Sequence, residues 1–431
     1  MLHPSYAINS EGHFTLGGAD TVSLAQKYAT PLYLLDENEI IRRCRLYRDA
    51  VKRYFSDKSA IYYASKALSF KEIYRIIEKE DVNADVVSLG ELYTAIRAGY
   101  TPSRICLHGN NKTDAEISAA LEFGIGSFVV ESFDELDAIS TIASESGNVA
   151  RILRRITPNI DCHTLEAIST GKLDSKFGVP IETGQAELFV KKALELPALE
   201  LIGYHCHCGS QVFEIEPYIQ QLEVMIRFSA DMKAKFGYTP EYLNIGGGFG
   251  VRYVESDPEV NITESIRILG ESLTELCERY SLSRPHILME PGRSIVASAG
   301  VTLYTVGSVK NIGDFRTYVT VDGGMSDNPR YALYGAEYEA LIANRADAPK
   351  DCVCSIAGRC CESGDLIGEN MALQTAKRGD ILAVTVTGAY NYSMASNYNR
   401  VARPALVIVK DGKDRLAIMR ESIEYMLEND I

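Results

Sequence analysis

Ala60-Ile61-Tyr62-Tyr63-Ala64-Ser65-Lys66-Ala67 is an apolar, β-favouring run that ends in one lysine and passes into a helix-like segment. A lysine at the end of a buried strand is costly. Burial disfavours its ammonium and lowers its pKa, which suits an amine that attacks a carbonyl. The plain alternative is a lysine that has reached the surface at a strand end. The residues that follow decide the fold. Further β-like runs recur at roughly 83–88, 104–108, 127–131, 150–157, 200–208, 241–246 and 286–290, which makes about eight in all.

The segments between these runs carry helical periodicity. Phe70, Ile73, Tyr74 and Ile77 recur at helical spacing, as do Ile262, Ile266, Leu269, Leu273 and Leu276. Gly99 and Gly124 stand where helix stop signals belong. Strands alternating with helices imply parallel pairing, and the count fits a closed (β/α)8 TIM barrel. A doubly wound open sheet is the competitor. Past about residue 291 the pattern changes: Val301–Val309, Tyr318–Val321, Ile381–Thr387 and Ala405–Val409 read as strands with few helices between them. The first 35 residues are also strand-like, with turn signals at Gly12 and Gly17-Gly18. The expected architecture is therefore α/β plus β. A barrel over residues 36–290 is inserted into a mostly β domain formed from both chain ends, residues 1–35 and 291–431.

Composition narrows the partners. The 431 residues exceed one ordinary core, so about two or three domains are expected. A net charge of −14 argues against nucleic acid and anionic membrane surfaces. No apolar run reaches the roughly 18 residues that span a bilayer, and the start does not read as a signal peptide. The ten cysteines form no C-x-x-C pair and lie in apolar stretches, as expected of reduced thiols in a cytoplasmic protein.

In such a barrel, catalytic groups lie at the C-terminal ends of the strands. Those ends hold Lys66, Asp85, His108, Glu131, Arg155, His205 with His207, Gly246-Gly247-Gly248 and Glu290. Random placement would rarely put a polar or glycine-rich element at every one of them. The glycine run can bring backbone N–H groups to an anion, or it can be a simple tight turn. In His205-Cys206-His207-Cys208 the side chains alternate along a strand, so the four cannot converge on one tetrahedral metal, and no metal is expected. Glu290-Pro291-Gly292-Arg293 is either a local ion pair or a carboxylate for a protonated ring nitrogen beside an arginine for an anion. Pyridoxal 5'-phosphate (PLP) requires the second arrangement, and its aldehyde requires a lysine.

On these residues the chain resembles the fold-type III PLP-dependent decarboxylases, and within them the diaminopimelate decarboxylases. The family's lysine motif resembles Tyr63-Ala64-Ser65-Lys66-Ala67, and its H-x-G-S-Q element resembles His207-Cys208-Gly209-Ser210-Gln211. The glycine loop and E-P-G-R motif match at 246–248 and 290–293. Cys361-Glu362-Ser363-Gly364-Asp365 and Gly388 to Asn399 match two further motifs. His163, Ile168-Ser169-Thr170-Gly171, Ser175-Lys176-Phe177-Gly178, Asp322-Gly323-Gly324-Met325, Arg330 and Ala332-Leu333-Tyr334 also follow the pattern. Two departures are small: Tyr331 stands where proline is usual, and Cys208 where isoleucine is commoner.

The resemblance implies roles. Lys66 would hold PLP, His207 would stack on its ring, and Glu290 would pair with the ring nitrogen. Ser210, the Gly246, Gly247 and Gly248 amides and Tyr390 would bind the phosphate. Gly292 and Arg293 belong to the same cofactor set, and Asp85 and Arg155 lie near the ring. Cys361 and Glu362 would reach the partner's site in a homodimer, and either Cys361 or Lys66 would return a proton to Cα. The implied reaction converts meso-2,6-diaminopimelate to L-lysine and CO2, the last step of lysine biosynthesis. Arg293 and Arg330 can take a tail carboxylate and Glu362 a tail ammonium, with Tyr334 and Tyr390 adding hydroxyls, and this set suits a zwitterionic tail. Surface solvation is the bland reading of both arginines. The rivals are another basic amino-acid or carboxynorspermidine decarboxylase of this fold, a racemase, a PLP-binding carrier and a Schiff-base aldolase. Glu290 speaks against the racemase. The added β domain with Cys361-Glu362 speaks against the carrier. Glu290 together with the glycine loop speaks against the aldolase.

Overall fold

The computed structural model describes residues 3–160 and 176–431. His163, residues 168–171 and Ser175, which follow the family pattern, fall outside the described residues. The chain divides into two compact units. One comprises Cys44–Gly250 and Glu259–Ser294. The other comprises Met1–Arg43, Val251–Pro258 and Ile295–Ile431.

The first unit is a closed parallel barrel. Its strands are β1 (Ala60–Ala64), β2 (Asn83–Val86), β3 (Ile105–Leu107), β4 (Ser127–Val130), β5 (Ala150–Thr157), β6 (Leu199–His205), β7 (Tyr242–Asn244) and β8 (His286–Met289). Each pairs with the next, and β8 returns to β1 with Met289 opposite Ile61. That closure excludes the open sheet. Helices follow the first seven strands: α1 (Lys71–Lys79), α2 (Leu89–Ala98), α3 (Asp114–Phe123), α4 (Phe133–Glu145), α5 (Gln185–Glu195), α6 (Glu216–Phe236) and α7 (Ile262–Arg279). Their ends obey local chemistry. Ser88, Thr113, Ser132 and Asn261 accept N-terminal amides, and Gly99 and Gly124 close α2 and α3 in the left-handed conformation. The eighth outer helix, Glu37–Tyr54, precedes β1 instead of following β8. It lies so close to α7 that a Cβ on Gly270 would sit 2.7 Å from the Tyr54 carbonyl oxygen.

The barrel interior is layered by the two-residue period of its strands. Cys106, Val129, Leu153, Ile202 and Leu288 form one buried apolar cluster, against which Tyr62 and Tyr242 pack. Residues from five strands meet in that cluster, and only the interior of a closed barrel permits it. Two residues beyond its members on the same face stand His108, Glu131, Arg155 and Glu290, with Asn244 two beyond Tyr242. A register shift in β6 between Leu201 and Gly203 brings Gly203 opposite Leu153 and His205 opposite Arg155. The polar strand ends are thus the top layer of the interior, resting on an apolar plug.

The second unit is built on a sheet that orders Leu366–Leu373, Cys352–Ala357, Arg316–Val321, Gly300–Ile312, Leu32–Asp36, Ala405–Lys410 and Lys413–Ile418. Leu32–Asp36 pairs antiparallel with the start of Gly300–Ile312 and parallel with Ala405–Lys410, so a segment from before the barrel is held between two from after it. The expectation that the first 35 residues are strand-like holds only in part. Short strands Tyr6–Ile8, Phe14–Leu16 and Ala19–Asp20 form around the turns, but Thr21–Tyr28 is a helix. Asp20 caps it by accepting from Val22 N at 2.9 Å, and Val22, Leu24 and Ala25 are buried. Capping and an apolar face override the β preference of Thr21 and Val22.

Gly203→Ala tests the β6 register. The new Cβ would overlap the Tyr242 carbonyl oxygen, which belongs to backbone and cannot turn away. The expected cost is roughly 3 kcal/mol, read as a lowered urea midpoint of the cofactor-free protein.

Candidate active site

Glu290, just past β8, is buried at the rim of the barrel. Its Oε1 accepts from Asn244 Nδ2 at 2.6 Å and lies 2.9 Å from His108 Nε2; its Oε2 lies 2.9 Å from His205 Nε2. Burial alone would push its carboxyl up, but the two imidazoles outweigh that and hold it well below the usual range. Burial also works against the charge on His108, yet Asp85 at 3.8 Å and Glu290 drive its pKa well above the ordinary histidine value. His205 lies at about 4, chiefly through burial, and is neutral. Burial raises Asp85 to about 6 against the pull of His108. The centre of the rim is thus an imidazolium between two carboxylates, with a neutral imidazole on the far side of one of them.

Glu131 and Arg155 form a second buried pair. Arg155 Nη1 donates to Glu131 Oε1 at 2.9 Å, Gly178 N donates to Oε2 at 2.5 Å, and the guanidinium lies over the Phe177 ring. The Glu131 backbone is itself held: its N–H donates to Glu135, which also receives the buried Lys112 ammonium. His207 is half-buried, and burial together with the nearby cations Lys66 and Arg155 keeps its ring neutral. A neutral, partly exposed imidazole suits stacking on a planar ring.

Lys66 is not the buried strand-end lysine that its sequence context suggests. It lies in the 3-10 turn Ser65–Ala67 directly after β1, and its side chain is exposed, not buried. The strand that carries it is buried, but the turn lifts the lysine out of the barrel wall. Its charge still acts on Asp85 and His207, which places it among the rim groups.

The glycine loop has all four carbonyls engaged. Ile245 O accepts from Gln221, Gly246 O from Glu290 N, Gly247 O from the Tyr218 hydroxyl and Gly248 O from Val212 N. Turning the carbonyls into the protein is what an N–H cradle for an anion requires, but the Gly246 amide, expected in that cradle, donates to Asn244 Oδ1 at 2.9 Å, so the edge falls to Gly247 and Gly248. A Cβ on Gly247 would collide with the Glu290 carbonyl, so the loop can press on β8 only as glycine. Arg293 is buried and donates from Nη2 to Ser210 Oγ at 3.0 Å, which brings a cation and a hydroxyl together as an anion site needs.

The remaining predicted residues lie in the β unit. Arg330 opens the short helix Arg330–Tyr334, is buried, donates to the Tyr338 hydroxyl at 2.7 Å and lies over the Tyr253 ring. Neither Arg293 nor Arg330 is therefore a solvated surface arginine. Cys361 and Glu362 are exposed, and Tyr334 is partly so. The turn that carries Cys361 and Glu362 is organised by Asp365, which accepts from Cys360 N and Met325 N, both at 2.6 Å. Tyr390 adopts a positive φ of 63°.

This donor set fits PLP: an ionised buried acid for a ring nitrogen, a neutral imidazole, an amine after β1, and a glycine loop beside a Ser–Arg pair. A family model described as the pyridoxal binding domain of pyridoxal-dependent decarboxylases matches residues 37–297. The chain belongs to this family of decarboxylases. Its cofactor is PLP, and it is a carboxy-lyase. Among curated relatives of this decarboxylase, the diaminopimelate decarboxylase of Halalkalibacterium halodurans is 45% identical and that of Bacillus subtilis 43%, each covering 100% of this chain and 98% of its own. Among solved structures, diaminopimelate decarboxylase from M. jannaschii in complex with L-lysine is 34% identical with a TM-score of 0.91, over 100% of this chain and 99% of that one. Among the described residues, no helix of the decarboxylase is long and apolar enough to cross a membrane.

The hub that Asn244, His108 and His205 make around Glu290 was not assigned from sequence. Asn244 carried a usable signal, because it stands on the inward face of β7 two residues before the first glycine of the loop.

Glu131→Gln would leave the Arg155 guanidinium buried without its anion. The expected loss is about 3 kcal/mol in the denaturant midpoint. In the double variant Glu131→Gln/Arg155→Gln the loss should be smaller than the sum of the two single losses, because no orphan charge remains.

Proposed function

We infer that the chain catalyses PLP-dependent decarboxylation of meso-2,6-diaminopimelate to L-lysine and CO2, the last step of lysine biosynthesis. The observation that carries this reading is the buried, ionised Glu290 in one rim with the Lys66 amine and the glycine cradle. Full-length similarity to diaminopimelate decarboxylases supports the choice of substrate.

PLP supplies the electron sink that lets the Cα–carboxylate bond break. The chain's own residues bind, orient and move protons. Lys66 would tether the cofactor through its amine, Glu290 would keep a proton on the ring nitrogen, and His207 would cover the ring, with Asp85 and Arg155 nearby. Ser210, Gly247, Gly248, Gly292, Arg293 and Tyr390 would hold the phosphate, and Gly246, whose amide donates to Asn244, would shape the loop. The departing carboxylate leaves as CO2, and Cα takes one proton, with Cys361 and Lys66 as the candidate donors. Arg293 and Arg330 take the carboxylate of the substrate tail, Glu362 its ammonium, and Tyr334 and Tyr390 add hydroxyl contacts. A tail that ends in a single ammonium, as in lysine or ornithine, would leave a buried arginine facing a like charge.

The functional unit in this reading is a homodimer, with Cys361 and Glu362 of one chain completing the site of the other. Their exposure supports it, since a catalytic pair turned to solvent needs a second surface. A cytoplasmic setting follows from the biosynthetic role and the free thiols.

The direct test is CO2 release from meso-diaminopimelate, with ornithine, lysine, arginine and carboxynorspermidine as comparisons. Release from diaminopimelate should exceed the others by about 100-fold or more, as expected when a polar site meets the wrong polar tail. Lys66→Ala should abolish both release and the visible absorption of the purified protein. A normal spectrum in that variant would end the assignment. Glu362→Gln should keep the spectrum and lose turnover. Mixing it with Lys66→Ala should recover part of the activity if sites are shared between subunits, and none if they are not.

A further inference from the structure

Glu290 sits at the end of a strand with rotatable bonds between its carboxylate and the backbone. A flexible acid is a poor partner for a ring nitrogen unless something fixes its plane. Three neighbours do so: Asn244 hydrogen-bonds Oε1, His205 hydrogen-bonds Oε2, and His108 Nε2 meets Oε1 at 2.9 Å as an ion pair outside hydrogen-bond geometry. The two imidazoles brace each other edge-to-face, with centroids 5.1 Å apart and planes at 74°. Each comes from a different strand and stands above the apolar plug, so neither can move without disturbing the barrel interior. His108 has a second partner in Asp85, on the strand beside its own.

We propose that His108 and His205 are positioning residues that set the plane of the Glu290 carboxylate, and that His108, between Asp85 and Glu290, lets two neighbouring acids stay charged and present one unmatched negative charge to a cationic ring nitrogen. The inference rests on the reading that Glu290 holds that nitrogen. His108 Nε2 stands 2.9 Å from Glu290 and 3.8 Å from Asp85, so one imidazolium lies against both acids, and two carboxylates, one imidazolium and one neutral imidazole leave one net negative charge. Without the His108 cation, two adjacent buried acids would repel and one would take up a proton, as paired carboxylates do. The other charged groups acting on this row are Lys66 after β1 and Arg155 on β5; the latter is already matched by Glu131.

The alternative for this cluster is a metal. The ligand atoms of His108, His205 and Glu290 lie within 4.8 Å of one another. The hydrogen bond of His205 to Glu290 and the ion-pair contacts of His108 with Glu290 and Asp85 favour an arrangement without an ion, because ligands around an ion point at the ion and not at each other.

The test compares binding of PLP with binding of its carbocyclic analogue, in which CH replaces the ring nitrogen, to the cofactor-free protein. The ratio of the two dissociation constants isolates the contact to the nitrogen. Wild type should prefer PLP by about tenfold or more, the size of one charge-assisted hydrogen bond. His108→Leu and His205→Leu should bring the ratio towards one. His205→Gln, which keeps a neutral donor at the Nε2 position, should hold it within about twofold. His108→Gln keeps a donor but loses the charge, so it should lower the ratio and serves as the second variant if His108→Leu does not fold. An unchanged ratio in the His108 and His205 variants, with wild type showing the preference, would overturn the positioning roles while leaving the Glu290 reading intact. No preference in wild type would overturn the Glu290 reading instead. A stoichiometric metal in the purified protein, lost in His108→Gln, would also overturn the proposal.

Discussion

A carboxylate buried above an apolar plug must be bonded from every side or give up its charge, and the rim of this barrel is organised by that requirement. Glu290 meets it through Asn244, His108 and His205, which come from the ends of three other strands. Each donor depends on strand register. A one-residue slip in any of those strands would turn its donor out of the interior and an apolar side chain in. The register in turn depends on the plug beneath, where Cys106, Val129, Leu153, Ile202 and Leu288 pack as one cluster. Charge state, strand order and core packing are thus one problem, and the shift in β6 that brings His205 to the same level as Arg155 is part of its solution.

The same logic governs the rest of the rim. Arg155 is spent on Glu131, so its charge reaches the centre only weakened. The glycine loop spends its carbonyls on α6, on β8 and on the Val212 backbone and its Gly246 amide on Asn244 Oδ1, which leaves the Gly247 and Gly248 amides as the edge for an anion. In the β unit, Asp365 plays the organising part by tying the turn of Cys361 and Glu362 to the segment at Met325. An acid that accepts backbone amides holds such a turn in one shape while leaving its functional side chains exposed.

Much of this was legible in the residues. The alternation of runs between Ala60 and Glu290 announces a barrel, and the closing pair of β8 with β1 is what it requires. The polar strand ends were visible because period two places them on the face of the apolar residues two positions before them. Other features were hidden for definite reasons. Thr21–Tyr28 looked like strand because its first two residues are β-branched, whereas the Asp20 cap and the buried face decide for helix. Lys66 looked buried because its strand is, whereas a 3-10 turn carries its side chain out. The strands Cys352–Ala357 and Leu366–Leu373 escaped notice because register shifts between them interrupt the alternation. The hub around Glu290 could not be read in advance, because His108, His205 and Asn244 are separated by tens of residues and meet only through closure.

By itself, then, the order of residues determined the alternation of strands and helices, the glycine and acid motifs and the composition of the polar rim, because those follow from local periodicity and backbone preference. Only the tertiary structure decided which acid keeps its charge, which histidine carries a proton and which arginine is already paired. Those outcomes depend on burial and on distances between side chains far apart in the chain, and electrostatics in a buried site is set by such distances rather than by neighbours in sequence.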